Sequence, residues 1–258
     1  MVTVLLPPAV LAGAARARVA GRLAADLVLP GPCPGCGARE GPVCPGCRAV
    51  LLGEPPPWRD HRAGPCRAAA PYGPRIRRLV LAAKEGGRAD VRAVLAVALA
   101  RAVVEVGWGE RRRADGLVLV PPPTGPGVRW RRRGDPVADL AALAAARLAD
   151  AGADVVAAPG LLRRVRAVAD QAGRGAGSRR ENVHGAFRAA RAGRGPSRDA
   201  VVVDDVVTTG ATSDECARAL AGSGWRVLGV AAVASAGSRL AGGRRHPEVL
   251  PGHPRSRT

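Results

Sequence analysis

The stretch AVVVDDVVTTGATSDE, Ala200 to Glu215, decides the fold. Ala200 to Val203 is short, apolar and rich in β-branched residues, as expected of a strand covered on both faces. Asp204 and Asp205 stand at its carboxyl end, where open α/β sheets gather their ligand groups. Thr208, Thr209, Gly210, Ala211 and Thr212 then form a small-residue loop opening the helical segment SDECARALAGSG, with Thr212 or Ser213 as its cap. Free amides, hydroxyls and a positive dipole end suit an anion such as phosphate. The adjacent carboxylates suit a ligand carrying hydroxyls, such as a sugar. Paired aspartates often only cap helices, and Thr-Thr-Gly often only makes a tight turn. Each explanation covers half of the stretch and neither covers the ordered whole. It is not a Walker motif, because no Gly-Lys-Ser/Thr follows a glycine-rich loop.

Outward from this stretch, strands and helices alternate. Pro74 to Lys84 carries Ile76, Leu79, Val80 and Ala83 at helical spacing, and Gly86-Gly87 ends it. Asp90 caps a second helix, VRAVLAVALARAVVEVG. LVLVPPPTG from Leu117 reads as a buried strand ending in a rigid proline loop, and Pro136 suits the first turn of the helix PVADLAALAAARLADAG. DVVAAP and RVLGVAAVAS complete the strands, so the sheet is expected to be mostly parallel. The basic, glycine-rich segment between Pro159 and Val201 fits either a mobile loop over an active site or a spacer. Its GRGAGS is a dinucleotide loop only superficially, since it joins no strand to a helix.

CPGCGAREGPVCPGC places Cys33, Cys36, Cys44 and Cys47 in a C-x2-C-x7-C-x2-C array. Two C-P-G-C turns can aim four thiolates at one point, the arrangement of a tetrahedral structural zinc site. Disulfides or a redox pair are the competing readings, but a redox motif needs one CxxC at a strand-to-helix junction. His61 is a weaker alternative ligand. Cys66 fits either a decayed second knuckle or the core, and Cys216 fits the core.

The chain has 258 residues, 47% hydrophobic but only 2% aromatic, so Val, Leu and Ala must build its core. No apolar run approaches a membrane span, and the N-terminus lacks basic residues before its apolar part, so a cytoplasmic protein is expected. A net charge of +19 suits nucleic acid, anionic substrates or an acidic partner. A single lysine, Lys84, amid abundant Arg, Ala, Gly and Pro points to compositional bias as a second source of that charge. With one Tyr and one Phe, stacking platforms for single strands are scarce.

The acidic pair and threonine loop closely resemble the fingerprint of type I phosphoribosyltransferases, which bind phosphoribosyl pyrophosphate (PRPP). The likeness narrows to the ComF family of competence-associated proteins on the cysteine knuckle, Tyr72-Gly73, Ile76, Arg77, Leu79, Lys84, Gly87, Arg133-Gly134, Arg164, Arg166, Gln171, Arg179, Asn182 and Phe187. It covers nearly the whole chain. Two departures are Asp135-Pro136-Val137 where the family usually has Phe-Asn-Gln, and Pro121-Pro122-Pro123 for Pro-Val-Pro.

The resemblance implies a type I phosphoribosyltransferase-like α/β fold, a mostly parallel sheet flanked by helices, behind a small four-cysteine zinc knuckle. The expected divisions are a lead-in and helix over 1–30, knuckle and proline-rich linker over 31–66, the phosphoribosyltransferase-like domain over 67–240 and a flexible basic tail over 241–258. Asp204 and Asp205 would hold the ribose hydroxyls, and the loop from Thr208 to Thr212 the 5′-phosphate. Lys84, Arg133, Arg179, Arg180 and Asn182 are candidates for the pyrophosphate and the mobile loop. Magnesium would come with PRPP, phosphoribose would pass to a nitrogen acceptor, and zinc would be structural. The alternative is a non-catalytic module that contacts single-stranded DNA or DNA-uptake proteins.

Overall fold

The computed structural model describes residues 31–85, 87–108, 116–124, 135–166, 183–192 and 199–236, without the side chains of 107 and 108. A six-stranded sheet has the order β1-β2-β8-β7-β3-β4. Its strands are β1 (Arg59–His61), β2 (Gly64–Pro71), β3 (Leu117–Val120), β4 (Val155–Ala157), β7 (Asp199–Val207) and β8 (Arg226–Ser235). All neighbours are parallel except β1, which pairs antiparallel with β2 at one edge. β5 (Leu162–Arg164) and β6 (Phe187–Ala189) form a separate antiparallel pair. The mostly parallel α/β architecture is as the alternation implied.

Two hydrophobic layers sandwich the sheet. Leu117, Leu119, Val201, Val203, Ala231 and Val233 join one cluster with α1 (Pro45–Leu52), α2 (Pro74–Lys84), α3 (Ala89–Val103) and α4 (Pro136–Asp150). Val120, Ala200, Val202, Val230 and Ala232 join the other, with α5 (Ala211–Ala221), Leu162 and Phe187. Odd and even positions of one strand thus feed opposite layers, which is why β7 is apolar without alternation. Cys33, Cys44 and Cys47 belong to the first cluster, so the cysteine segment is part of the main core, with Gly35 beside Leu79 of α2. Phe187, the chain's only phenylalanine, is 2% exposed in the second layer.

Several local expectations are corrected. β7 does not stop at Val203 but carries both aspartates and runs to Val207. The N-cap of α5 is Gly210, with φ of 76°, so Thr212 and Ser213 fall inside its first turn. Asp90 is likewise inside the first turn of α3; Arg88 is the N-cap and binds the Asp90 carboxylate at 2.7 Å. β1 (Arg59–His61) forms in the stretch read as linker, where no strand was expected, and pairs with β2. β5 and β6 arise in the segment read as loop or spacer.

Candidate functional site

In the cysteine segment, the sulfurs of Cys33, Cys36, Cys44 and Cys47 all lie within 4.8 Å of one another, with Cys36 and Cys44 at 3.3 Å. A tetrahedral ion with metal–sulfur bonds of about 2.3 Å has sulfur–sulfur edges of roughly 3.8 Å, so the four donors fit one zinc. All four are free thiols, not disulfides. The two C-P-G-C halves are built differently. In the first, the Cys36 and Gly37 amides both donate to the Cys33 carbonyl, at 3.3 and 2.7 Å, making a turn. In the second, Pro45 starts α1 and Cys44 is its N-cap, its sulfur accepting from the Cys47 amide at 3.4 Å. A Cβ at Gly35 would lie 2.7 Å from the Cys47 sulfur, whereas one at Gly46 would meet nothing. Burial alone would push the Cys33 thiol up, but hydrogen bonds with the backbone of Cys44, Gly35 and Cys36 bring it down to about 7. Burial holds the Cys66 thiol up at about 12 and Cys216 well above its ordinary value; both are core groups outside the four-cysteine cluster.

The sheet's topology fixes the second location. β3 leads through α4 outward to β4, while β7 leads through α5 back to β8, on opposite sheet faces. The β3–β7 boundary is therefore the point where the winding reverses, the place open α/β sheets use for ligands. Pairing of β7 with β3 ends at Val202–Val120, while pairing with β8 continues through Asp204–Ala232 to Val207–Ser235. Asp204 and Asp205 consequently stand beyond the end of β3, at the crevice.

Lys84 closes α2 beside this crevice, its cation matching the helix's negative end. Its ammonium forms an ion pair with Asp205, which is 5% exposed. Asp204 keeps some solvent contact but is surrounded by packed protein. Burial pushes its carboxyl up to about 6; Lys84 draws it down, and the Asp135 carboxylate raises it. Asp135 is the N-cap of α4 and accepts from the Ala138 amide at 3.1 Å. The Asp205 and Val206 amides donate to the Asp204 and Asp205 carboxylates at 2.8 and 2.7 Å, fixing both side chains against their own backbone.

Past the acids, Thr208 is exposed, Thr209 partly buried, and Gly210 and Ala211 are buried. The Thr209 hydroxyl accepts from the Ala211 amide at a long 3.5 Å, and the Asp214 amide donates to the Gly210 carbonyl at 2.8 Å. Among the described residues the amides of Thr212 and Ser213 have no acceptor within the chain, so the first turn keeps donors for an external group. Lys84, Asp204, Asp205 and the loop from Thr208 to Thr212 are thus brought to one end of the sheet. Arg133, Arg179, Arg180 and Asn182 lie outside the described residues.

Reading the sequence missed a neighbour of this loop, the β1–β2 hairpin. Arg59 donates to the carbonyls of Ala236 at 2.9 Å and Thr208 at 3.5 Å. The His61 ring packs against Gly210, where any Cβ would overlap its Nδ1 and Cε1. The Ala63 amide donates to the Asp214 carboxylate at 3.1 Å. His61, weighed as a metal ligand, therefore lies at the threonine loop and not in the cysteine cluster. The residue type gave no signal for this, since the contact spans about 150 positions of sequence. Among the described residues no helix is long and apolar enough to cross a membrane. No family model matches the chain, and no curated protein matches it.

Proposed function

We propose that the chain is a ComF-like phosphoribosyltransferase that binds PRPP in the β3–β7 crevice and transfers its phosphoribosyl group to a nitrogen acceptor. One observation carries this reading: two acids, a lysine and a helix first turn whose Thr212 and Ser213 amides have no acceptor among the described residues gather at the sheet's switch point. Thr208, Thr209, Gly210, Ala211 and Thr212 would receive the 5′-phosphate through backbone and hydroxyl donors. Asp204 and Asp205 would accept from the ribose hydroxyls and stabilise positive charge growing at the anomeric carbon. Lys84, paired with Asp205, would face the pyrophosphate, aided by Arg133, Arg179, Arg180 and Asn182. Among the described residues the only cluster with metal-ligand geometry is the cysteine one, so magnesium would be carried in by the diphosphate. It would supply charge neutralisation on the leaving group. Zinc would hold the knuckle. The reading places the protein in the cytoplasm, where PRPP is available.

Calorimetry with PRPP and magnesium tests it. The wild type should bind, and the paired change Asp204→Asn with Asp205→Asn should abolish binding while zinc content stays at one per chain. Undiminished binding by that variant would remove the assignment. Pyrophosphate release with a panel of nitrogenous bases then separates turnover from binding.

A second reading is favoured by one surface feature. Arg39 and Arg48 of the knuckle and Arg75, Arg77 and Arg78 of α2 are exposed, and none forms an ion pair among the described residues. Exposed cations of this kind suit the phosphates of single-stranded DNA in a non-catalytic uptake module. Its affinity would fall steeply as salt rises and respond to changes of these arginines, with PRPP irrelevant.

A further inference from the structure

The β1–β2 hairpin touches the threonine loop with alternate residues. Arg59 reaches the Thr208 carbonyl, His61 lies on Gly210, and the Ala63 amide binds Asp214. Arg59 and His61, two apart on β1, point to one face of the strand and meet the loop at Thr208 and Gly210, while the turn that follows adds its Ala63 amide to Asp214 in the first turn of α5. The hairpin is itself anchored. Arg67 of β2 pairs with Glu105 and donates to the Pro56 carbonyl at 2.8 Å, and Arg101 of α3 also binds Glu105, at 3.1 Å. On the other side, Gly229 of β8 lets the Pro65 carbonyl approach where a Cβ would overlap it.

Gly210 carries two demands at once. Its φ of 76° is the left-handed region that L side chains rarely adopt. The space a side chain would fill is also taken by the His61 imidazole. The ring therefore presses on the one residue of the loop with most conformational freedom, immediately before the amides of Ala211, Thr212 and Ser213. A glycine hinge left unbraced would sample other conformations, and a ligand would have to meet the cost of ordering it.

We infer that His61 is a positioning residue of the phosphate-binding loop: its ring holds Gly210 in the conformation that aims the loop amides at an anion. The inference rests on the proposed PRPP reading and adds to it a residue from the opposite end of the chain. It acts through the loop and needs no contact with the ligand, so a flat apolar ring should replace it.

The test pairs affinity with loop dynamics in the full chain. Ribose 5-phosphate binding by calorimetry should weaken about tenfold in His61→Ala and return to within about threefold of wild type in His61→Phe. Amide exchange at Gly210–Ser213 should quicken in His61→Ala, with exchange in the α3 core unchanged and zinc content intact. In a double-mutant cycle, Gly210→Ala should cost less in the His61→Ala background than in the wild type, because the overlap with the ring is gone. Equal affinity of His61→Ala and wild type would overturn the inference, as would a His61→Phe variant as weak as His61→Ala. If the wild type binds neither ribose 5-phosphate nor PRPP, the functional reading fails, and amide exchange alone still decides whether His61 braces the loop.

Discussion

The cysteine knuckle and the β3–β7 crevice are both donor clusters, built on opposite plans. Every knuckle donor comes from one short stretch, Cys33 to Cys47, and two local backbone devices aim the sulfurs. The crevice draws Lys84 from the end of α2, Asp135 from the cap of α4, the two acids from β7 and His61 from an edge hairpin. A site of the first kind takes all its donors from its own loop, even though that loop packs on the main core. One of the second kind exists only once the sheet has formed, and its charges are held partly against each other.

The difference predicts opposite responses to mutation. The largest effect belongs to the knuckle. Cys47 is fully buried in the cluster shared with Leu79, so Cys47→Ser should empty the metal site and lower Tm by about 10 °C or more, read by zinc assay and calorimetry. The knuckle's two glycines sharpen this. Gly35→Ala puts a methyl against the Cys47 sulfur and should cost about 2–3 kcal/mol, whereas Gly46→Ala, with open space in the first turn of α1, should be neutral or slightly stabilising. Equal effects would mean that the halves are equivalent after all.

In the crevice, Lys84→Met strands the buried Asp205 carboxylate and should cost about 2–3 kcal/mol in denaturant unfolding, discounted because the lysine is partly exposed. Asp204→Asn is smaller and of opposite sign. The folded state binds the Asp204 proton up to about pH 6, whereas the unfolded chain releases it near its ordinary value of 3.8. This carboxyl therefore opposes folding above pH 6, and the penalty fades as pH falls from 6 towards 4. Asp204→Asn should stabilise the ligand-free protein at pH 7 by about 1–2 kcal/mol and flatten that arm of the stability profile. A group that costs stability where the sheet's winding reverses fits a binding role better than a folding one. Destabilisation by Asp204→Asn at pH 7 would break that side of the comparison.

The same contrast explains what could be read from the sequence. The knuckle was legible because its ligands announce themselves by spacing. The strand, the acids and the small-residue loop were legible because they are contiguous. The cap of α5 was misread because Thr212 and Ser213 are good capping types, while the true cap is set by a left-handed backbone and a histidine from far upstream. β1 was invisible because Arg-Asp-His offers no apolar alternation; its place comes from pairing with β2 at a sheet edge. β5 and β6 hid in an arginine- and glycine-rich segment, where each three-residue strand buries one large apolar side chain, Leu162 in β5 and Phe187 in β6.

On the proposed reading a sugar phosphate docks where the acidic pair meets the threonine turn. Backbone amide chemical shifts during titration with PRPP and magnesium report on that docking. Saturable shifts should concentrate at Gly210, Ala211, Thr212 and Ser213, with Asp204 and Asp205 following and the knuckle unmoved. Saturable binding that shifts other parts of the chain and leaves those amides still would contradict it.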